Sequence, residues 1–521
     1  MKLKSLILCK KNIYALCFFF LMIIDWTRGS QVGSTWAWTI NMTGVIMAII
    51  LFTAYDMKTF FKPIYIVYSS ICLIALPMAY WWWSLHQAVI YRDKLLTAIL
   101  NIWLLGIFVI KFIFDVAIYK TKKICFSKLG MMTGCMLLWM LLSVNEDIWP
   151  AWYLVIFGLF YSTEYSADDM EEMKQGMLNG IITSFFILQG AAFVFRPFDD
   201  DYARYAGIYA NYNINALFYS IVLIAFLLKY YYARKNRESK ILKIVYFLFA
   251  GALVGFLVLT ITRTAWITAM VVLFFYLLLS EIVLLKRKGL GIAISIITFL
   301  LVVGISIPIE YLAVRYLPPM FHHPIWYEGE YSEDKVHSWD PVDSEKYVSY
   351  NEFMDAVWER IEPYTNLIWQ KLVVNAQETD VTRTKEVDFE SDMAFSSARG
   401  RFFVWKYYLE NGTMVGHSSK DGHIIDGSPT YIWHTQNMFV QFWYYYGIPS
   451  AIFLIIILSI IICIGIKNIF KQKSDALICV LYIILFAFYG FFEATWYPGQ
   501  IVLFLAFYTP KFLFCEEMKN V

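Results

Sequence analysis

ILKIVYFLFAGALVGFLVLTI (241–261), TAWITAMVVLFFYLLLSEIVLL (264–285) and LGIAISIITFLLVVGISIPI (290–309) follow one another with only Thr262, Arg263 and the charged run Lys286–Gly289 between them. Each run has the length of about 20 mostly apolar residues that a helix needs to cross the hydrocarbon core of a bilayer. Connectors this short leave no room for a water-soluble arrangement, so the solvent for these helices is lipid. Working outward, the same criterion gives about fourteen candidate spans: 12–25, 35–54, 64–83, 95–118, 126–144, 148–162, 176–195, 213–232, the three above, 433–466, 475–491 and 498–514. The run 433–466 is long for one helix and contains Gly447 and Pro449, which predict a break. With 60% hydrophobic and 16% charged residues, the whole chain departs from the near-half apolar content of soluble domains in the direction the spans require.

Charge and cysteine usage exclude several classes. A net charge of +2 offers no electrostatic footprint for nucleic acid. The eight cysteines lie in apolar runs or short connectors and form no CxxC pair, which argues against a disulfide framework or a zinc site. Lys2, Lys4, Lys10 and Lys11 precede an apolar run as in a signal peptide, but no small-residue cleavage site follows, so an uncleaved first span is expected. No short-period repeat is visible, which weighs against a solenoid.

Orientation follows from where lysine and arginine gather. Alternate connectors hold Lys58 and Lys62, then Lys120, Lys122 and Lys123, then Arg234, Lys235, Arg237 and Lys240, then Lys286, Arg287 and Lys288, and finally Lys467, Lys471 and Lys473. The opposite connectors hold only scattered cations. The asymmetry predicts both termini on the cytoplasmic side; the acidic connector around Asp168–Glu172 departs from it. Three regions result: transmembrane helices over 1–309, an external segment over 310–432, and the C-terminal helices over 433–521.

The external segment has roughly two acidic residues for each basic one and is too long for an ordinary connector. Tyr350, Phe353, Val357, Ile361 and Tyr364 recur at helical spacing and predict an amphipathic helix over 346–376. A second helix is expected over 399–411, with Phe402, Trp405, Tyr408 and Leu409 on one side, while Pro318, Pro319, Pro324 and the stretch 412–429 read as connectors. The expected fold is an all-α integral membrane protein of about 12–14 transmembrane helices with one large, mainly helical external loop domain.

Under this topology all seven histidines (His86, His322, His323, His337, His417, His423 and His434) fall on the external side. His434 stands where the external segment re-enters the membrane, beside Gln436 and Asn437, where a side chain can face both water and lipid. Arginines at the same level are the second clue, since a guanidinium near hydrocarbon is costly unless it has a function or a partner. Arg263 sits between two spans in TRTAW (262–266), Arg204 opens RYAGIYANYN (204–213), and Arg399 and Arg401 begin the helix in SSARGRFFVWKYYLENG (396–412). Guanidinium groups hold phosphate in bidentate fashion, and several converging ones suit a diphosphate. The plainer alternative is snorkelling to lipid headgroups. Asp199–Asp201 suggests a metal cluster less well than it suggests a solvated loop or ion pairs to Arg196 or Arg204, and no metal is expected. Glu493 and Trp496, between the last two spans, face outside and suit sugar contact; interfacial aromatic lining is the common alternative.

Taken in order, these features resemble the superfamily of O-antigen ligases and O-antigen (Wzy-type) polymerases, over roughly residues 200–500. RYAGIYANYN resembles the family's external Arg…Gly…Asn turn, which includes Asn211, and TRTAWITAM (262–270) resembles its Ser-Arg-Gly-Ala-Trp motif with Thr262 and Thr264 substituted. ARGRFFVWKYYLENGTMVG (398–416) is similar to its Gly-Arg…Trp-Lys helix, and WHTQNMFVQFWYYYGIPSAIF (433–453) to its re-entry helix. The resemblance implies a GT-C-like membrane glycosyltransferase of the bacterial cytoplasmic membrane. It would move a glycan from an undecaprenyl-diphosphate carrier to an acceptor hydroxyl, on another glycan or on lipid A–core, without cofactor or metal. By the match Arg204 and Arg263 would grip the diphosphate with Arg401 as a third candidate, Arg399, Asn211, Gln436 and Asn437 would contact substrate, and His434 would act on the acceptor hydroxyl. The family places histidine directly before the asparagine, where this chain has Gln436; His434 lies two positions earlier and shares a helical face with Asn437. Partners implied are the bilayer, a flippase and a chain-length regulator. Polymerisation fits slightly better than ligation; the alternatives are a flippase or transporter of lipid-linked oligosaccharide, or a noncatalytic assembly partner.

Overall fold

Apolar runs as long as these have one way to satisfy their backbone in lipid, the helix. A computed structural model of the chain describes residues 9–27, 39–86, 92–119, 128–145, 147, 149–195, 204–207, 209, 212–321, 349–373, 398–418, 435–493 and 501–514, and among them all regular structure is helical. The first group is α1 (Lys10–Thr27), α2 (Thr39–Phe52), α3 (Pro63–His86), α4 (Arg92–Ile113), α5 (Lys128–Leu141) and α6 (Trp149–Ser162). The central group is α7 (Ala167–Phe195), α8 (Tyr212–Lys235), α9 (Lys240–Leu259), α10 (Arg263–Tyr276, extended by a π-helical stretch Leu277–Leu284) and α11 (Gly289–Met320). Two helices follow from the expected external segment, α12 (Tyr350–Val373) and α13 (Ala398–Glu410). The chain closes with α14 (Met438–Tyr445), α15 (Ile448–Phe470), α16 (Ala476–Phe492), α17 (Ile501–Tyr508) and α18 (Lys511–Phe514).

Seven helical stretches among the described residues are long and apolar enough to cross a membrane: Ile99–Ile118, Ala167–Val194, Tyr212–Lys235, Lys240–Leu259, Arg263–Leu284, Gly289–Pro318 and Ile448–Phe470. Shorter apolar helices stand at Met42–Phe52, Pro63–Met78, Leu129–Leu141, Ala476–Phe492 and Ile501–Leu513. The two remaining expected spans coincide with α1 and α6. The protein is therefore a multi-pass membrane protein, helical throughout its described residues. Its centre is α8, buried along nearly its whole length, with α7, α9, α10 and α16 packed around it.

The expected break in 433–466 is found where the residues put it. Gly447 takes φ +87° between α14 and α15, with Pro449 in the first turn of α15. The segment 413–417 crosses this break: the Ile448 amide donates to the Thr413 carbonyl at 3.0 Å and the His417 amide to Tyr445 at 3.2 Å. Gly416, at φ +81°, and Gly447 each lie against the other strand's backbone, so a side chain on either would strike a carbonyl oxygen, of Tyr445 or of Met414 respectively.

Three expectations need correction. Helix α11 runs to Met320, past the expected end at 309, and takes in Pro318 and Pro319, which are thus not in a connector. The cause is packing: Phe353, fully buried on α12, stacks on Tyr311 at 5.8 Å, and Val314 is buried with them, so the helix is held beyond its apolar run. Helix α12 begins at a capping box, with the Ser349 amide donating to the Glu352 carboxylate at 2.6 Å and the Glu352 amide to the Ser349 hydroxyl at 3.2 Å. Second, Asp168–Glu172 belongs to the first turns of α7 and not to a connector, and its charge is compensated across the bundle. Lys10 pairs with Asp169 at 2.6 Å, and Lys174 pairs with both Glu171 and Asp475, the latter at 2.7 Å. At this same end Lys235 donates to Ser474 at 2.6 Å, and Arg234 and Arg287 share the buried Glu281, Arg287 at 2.9 Å. Third, Phe402 and Leu409 point outward on α13; its buried face is Val404 and Tyr408, with Trp405 beside them.

Helices α1 and α7 meet along glycines. A Cβ on Gly176 would lie 2.6 Å from the Lys11 carbonyl oxygen, and one on Gly180 would collide with that of Ala15. Small residues let two membrane helices approach to backbone contact, where dispersion replaces the hydrophobic drive that lipid does not supply.

Candidate functional site

The other end of the bundle collects the turns that carry the sequence-predicted residues. Arg204 opens a short extended segment whose next residue, Tyr205, donates its amide to the Leu259 carbonyl at 2.9 Å, at the end of α9. The Asn215 side chain donates to the Tyr205 carbonyl at 3.2 Å and fixes the segment from below. Two residues past the end of α9, Ile261 takes φ +48°, and this tight turn sends Arg263 into the first turn of α10. The Thr262 hydroxyl donates to the Asn213 side chain at 3.4 Å, and the Tyr489 hydroxyl donates to the Asn213 carbonyl at 2.7 Å. The Arg204 segment, the Arg263 turn and the end of α16 are thus one hydrogen-bonded unit.

The next link runs through α13. Arg401 donates from Nη1 to the Phe492 carbonyl at 2.8 Å, and its Nη2 lies 3.7 Å from the Glu493 carboxylate. A cation on the last carbonyls of α16 meets the negative end of the helix dipole. One turn along α13, Trp405 donates to the Thr435 carbonyl at 2.8 Å and packs edge-on to Phe491 at 5.6 Å. Thr435 begins the re-entry: its amide donates to Gln441 at 2.8 Å, and Asn437 caps α14 by accepting from the Phe439 and Val440 amides at 2.9 and 3.1 Å. Between them Gln436 takes φ +50°, and its side-chain oxygen is buried without a hydrogen-bond partner among the described residues.

Of the sequence-predicted residues, Arg204, Arg263, Arg401, Gln436 and Asn437 are therefore brought to one end and joined through neighbouring turns. Arg204 is 9% exposed, with its guanidinium 4.0 Å above the Tyr212 ring, a cation–π contact. Arg263 is half-buried. Arg401 is held by Phe492 and Glu493, and the Asn437 oxygen is spent on its cap. Arg399 lies in the first turn of α13, and His434, Asn211, Asp199–Asp201 and Trp496 lie outside the described residues. His417, whose side chain is described, stacks on Tyr444 at 3.9 Å and holds its carbonyl at 3.0 Å through Nδ1, a structural role.

Glu493 was foreseen only as a sugar contact, and its environment makes it more. Burial pushes its carboxyl up to about 7, although Arg401 pulls the other way. Such a group is half-ionised near neutral pH and suited to accept a proton. At the far end of α14, Tyr446 donates to Asp147 and receives a hydrogen bond from Trp149 Nε1 at 2.8 Å. Burial raises the Asp147 carboxyl, with those donors opposing.

Compared with known protein families, with curated proteins and with solved structures, the chain matches none.

Proposed function

We propose that this protein is a glycosyltransferase of the bacterial cytoplasmic membrane, acting at the arginine-bearing end of the bundle on the external side. It moves a glycan from an undecaprenyl-diphosphate carrier to an acceptor hydroxyl. The observation that carries the reading is the hydrogen-bonded unit formed by the Arg204, Arg263 and Arg401 segments, three cations from distant parts of the sequence at one end of the helix bundle. The N-termini of α8 and α10 begin in the same unit, and helix N-termini favour anions.

In this reading the acceptor oxygen attacks the anomeric carbon from the side opposite the carrier. The bond from that carbon to the diphosphate oxygen breaks, and the bonding pair leaves with the diphosphate. Arg204 and Arg263 neutralise the charge as it develops, the form of stabilisation that dominates such transfers. The acceptor's proton passes to Glu493 or to His434, and the single variants Glu493→Gln and His434→Ala separate the two by which one abolishes transfer. Arg401 acts by positioning Glu493. The reading favours an acceptor that is itself a lipid-linked glycan, which makes the product a longer chain.

The test uses purified protein in nanodiscs with lipid-linked glycan and no nucleotide sugar. Longer lipid-linked chains identify a polymerase, and transfer to lipid A–core a ligase. Translocation without new bonds would identify a flippase. Arg204→Ala and Arg263→Ala should each lower transfer by about 10²–10³-fold with insertion and folding intact. Full activity in Arg263→Ala would end the diphosphate reading.

A further inference from the structure

A cavity of about 510 Å³ opens between α7, α9 and α11, and its volume is within the range of small-molecule sites. The phenylalanines at 185, 186, 193, 249 and 256 line it. Its mouth is formed by Leu248, Ile305 and Ile309, which are exposed on the lipid-facing side of the bundle. A side-chain amide and a carboxyl interrupt the apolar lining. Gln189 is satisfied, donating to the Tyr205 hydroxyl at 3.0 Å and accepting from Tyr219 at 2.6 Å. Glu310 is not. It is 6% exposed, no well-formed hydrogen bond reaches either carboxylate oxygen from the described residues, and the side-chain group that interacts with it is the Ser306 hydroxyl. Ser306, one turn earlier, spends its proton on the Val303 carbonyl at 3.0 Å. Room for the carboxyl is made by Gly255, where a Cβ would strike both Glu310 and Ser306.

A carboxyl held dry and without a well-formed hydrogen bond costs several kcal/mol, a cost that folds keep only where something offsets it. No lysine or arginine is among the described residues lining the cavity. The complement this lining fits is a hydrogen-bond donor on an apolar body, entering through a mouth that faces lipid. Phenylalanine faces attract cations, and a carboxylate beside them completes the composition that recognises an amine. We propose that this cavity binds an alkyl ammonium, its chain among the phenylalanine rings and its nitrogen against Glu310. The site stands apart from the transfer reaction and does not depend on it.

The experiment uses the full chain in phosphatidylcholine nanodiscs with a diazirine-bearing octylamine and the corresponding alcohol as probes. After photolysis, mass spectrometry should find the amine on peptides covering 248–256 and 302–313, displaced by n-octylamine and not by n-octanol. Glu310→Gln keeps the shape and removes the charge; it should lower amine labelling about ten-fold, the loss expected for one charge-assisted hydrogen bond, and leave the alcohol unchanged. Gly190→Leu adds a side chain at a lining position where a Cβ meets no atom within 4 Å, so it fills the cavity without disturbing Glu310 and should lower labelling as well. Equal labelling by amine and alcohol, or wild-type amine labelling in Glu310→Gln, would mean that the cavity holds bulk lipid only. Should Glu310→Gln fail to insert, unchanged amine labelling in Gly190→Leu overturns the proposal alone.

Discussion

Replacing Glu493 by glutamine should make the protein more stable, and the structure gives the size of the gain and the pH at which it appears. The carboxyl is buried at the end of α16, its side chain 16% exposed, facing Arg401 from α13 and the Tyr489 hydroxyl one turn back. Its rise from 4.5 to about 7 on folding corresponds to about 3 kcal/mol as an upper bound. Because the folded state holds the proton more tightly than the unfolded state, stability is intact below 4.5, drains as pH rises towards 7 and then levels off. Glutamine copies the protonated form at all pH values. The two proteins should therefore unfold alike at pH 4.5, while at pH 8 the variant should be the more stable by about 1–3 kcal/mol, or a few degrees in midpoint. Thermal unfolding in nanodiscs from pH 4.5 to 8, read as the difference between the two proteins, isolates Glu493 because Asp147 and other carboxyls are common to both. A difference that does not change with pH would refute the reasoning, since it would mean that the Glu493 carboxyl is not perturbed by its burial.

Gly447→Ala should cost about 1–3 kcal/mol, since it forces a side chain into the left-handed region and against the Met414 carbonyl; an unfolding midpoint equal to wild type would contradict the close crossing. Gly180→Leu should separate α1 from α7 and lower the folded yield in detergent by size-exclusion chromatography. Gly304→Leu on α11, where a Cβ meets no atom within 4 Å, should be tolerated; equal behaviour of the two variants would dismiss the glycine seam.

The spans were legible because a run of about 20 apolar residues has a single solution in lipid, and the break at Gly447 because glycine and proline act locally. The helix at 398–410 was legible through its spacing, although its buried face was misread: Phe402 looks like a core residue until α14 and α16 claim the opposite side. What escaped depends on contacts between distant segments. The extension of α11 follows from Phe353 resting on Tyr311. Asp169 looked like a departure from the charge rule because its partner, Lys10, lies 159 residues away. Glu493 reads as a loop carboxyl until Arg401 and α16 enclose it, and Glu310 ends an apolar run whose sequence gives no sign of a cavity. At the candidate site, motifs marked the arginine turns individually, whereas their union through Asn213 and Tyr489 required the folded chain.

The glycine seam between α1 and α7 has a consequence for biosynthesis. The ribosome makes the first helix about 160 residues before the surface it fits, which at ~5–20 residues per second is a delay on the order of ten seconds. Throughout that interval the newborn helix waits in the bilayer or at the insertion machinery with a side contoured for a partner not yet translated. Final assembly of the bundle is in this respect a late event, gated by elongation, and slowing translation between codons 30 and 165 should prolong the stage at which quality-control proteases can reach the first span.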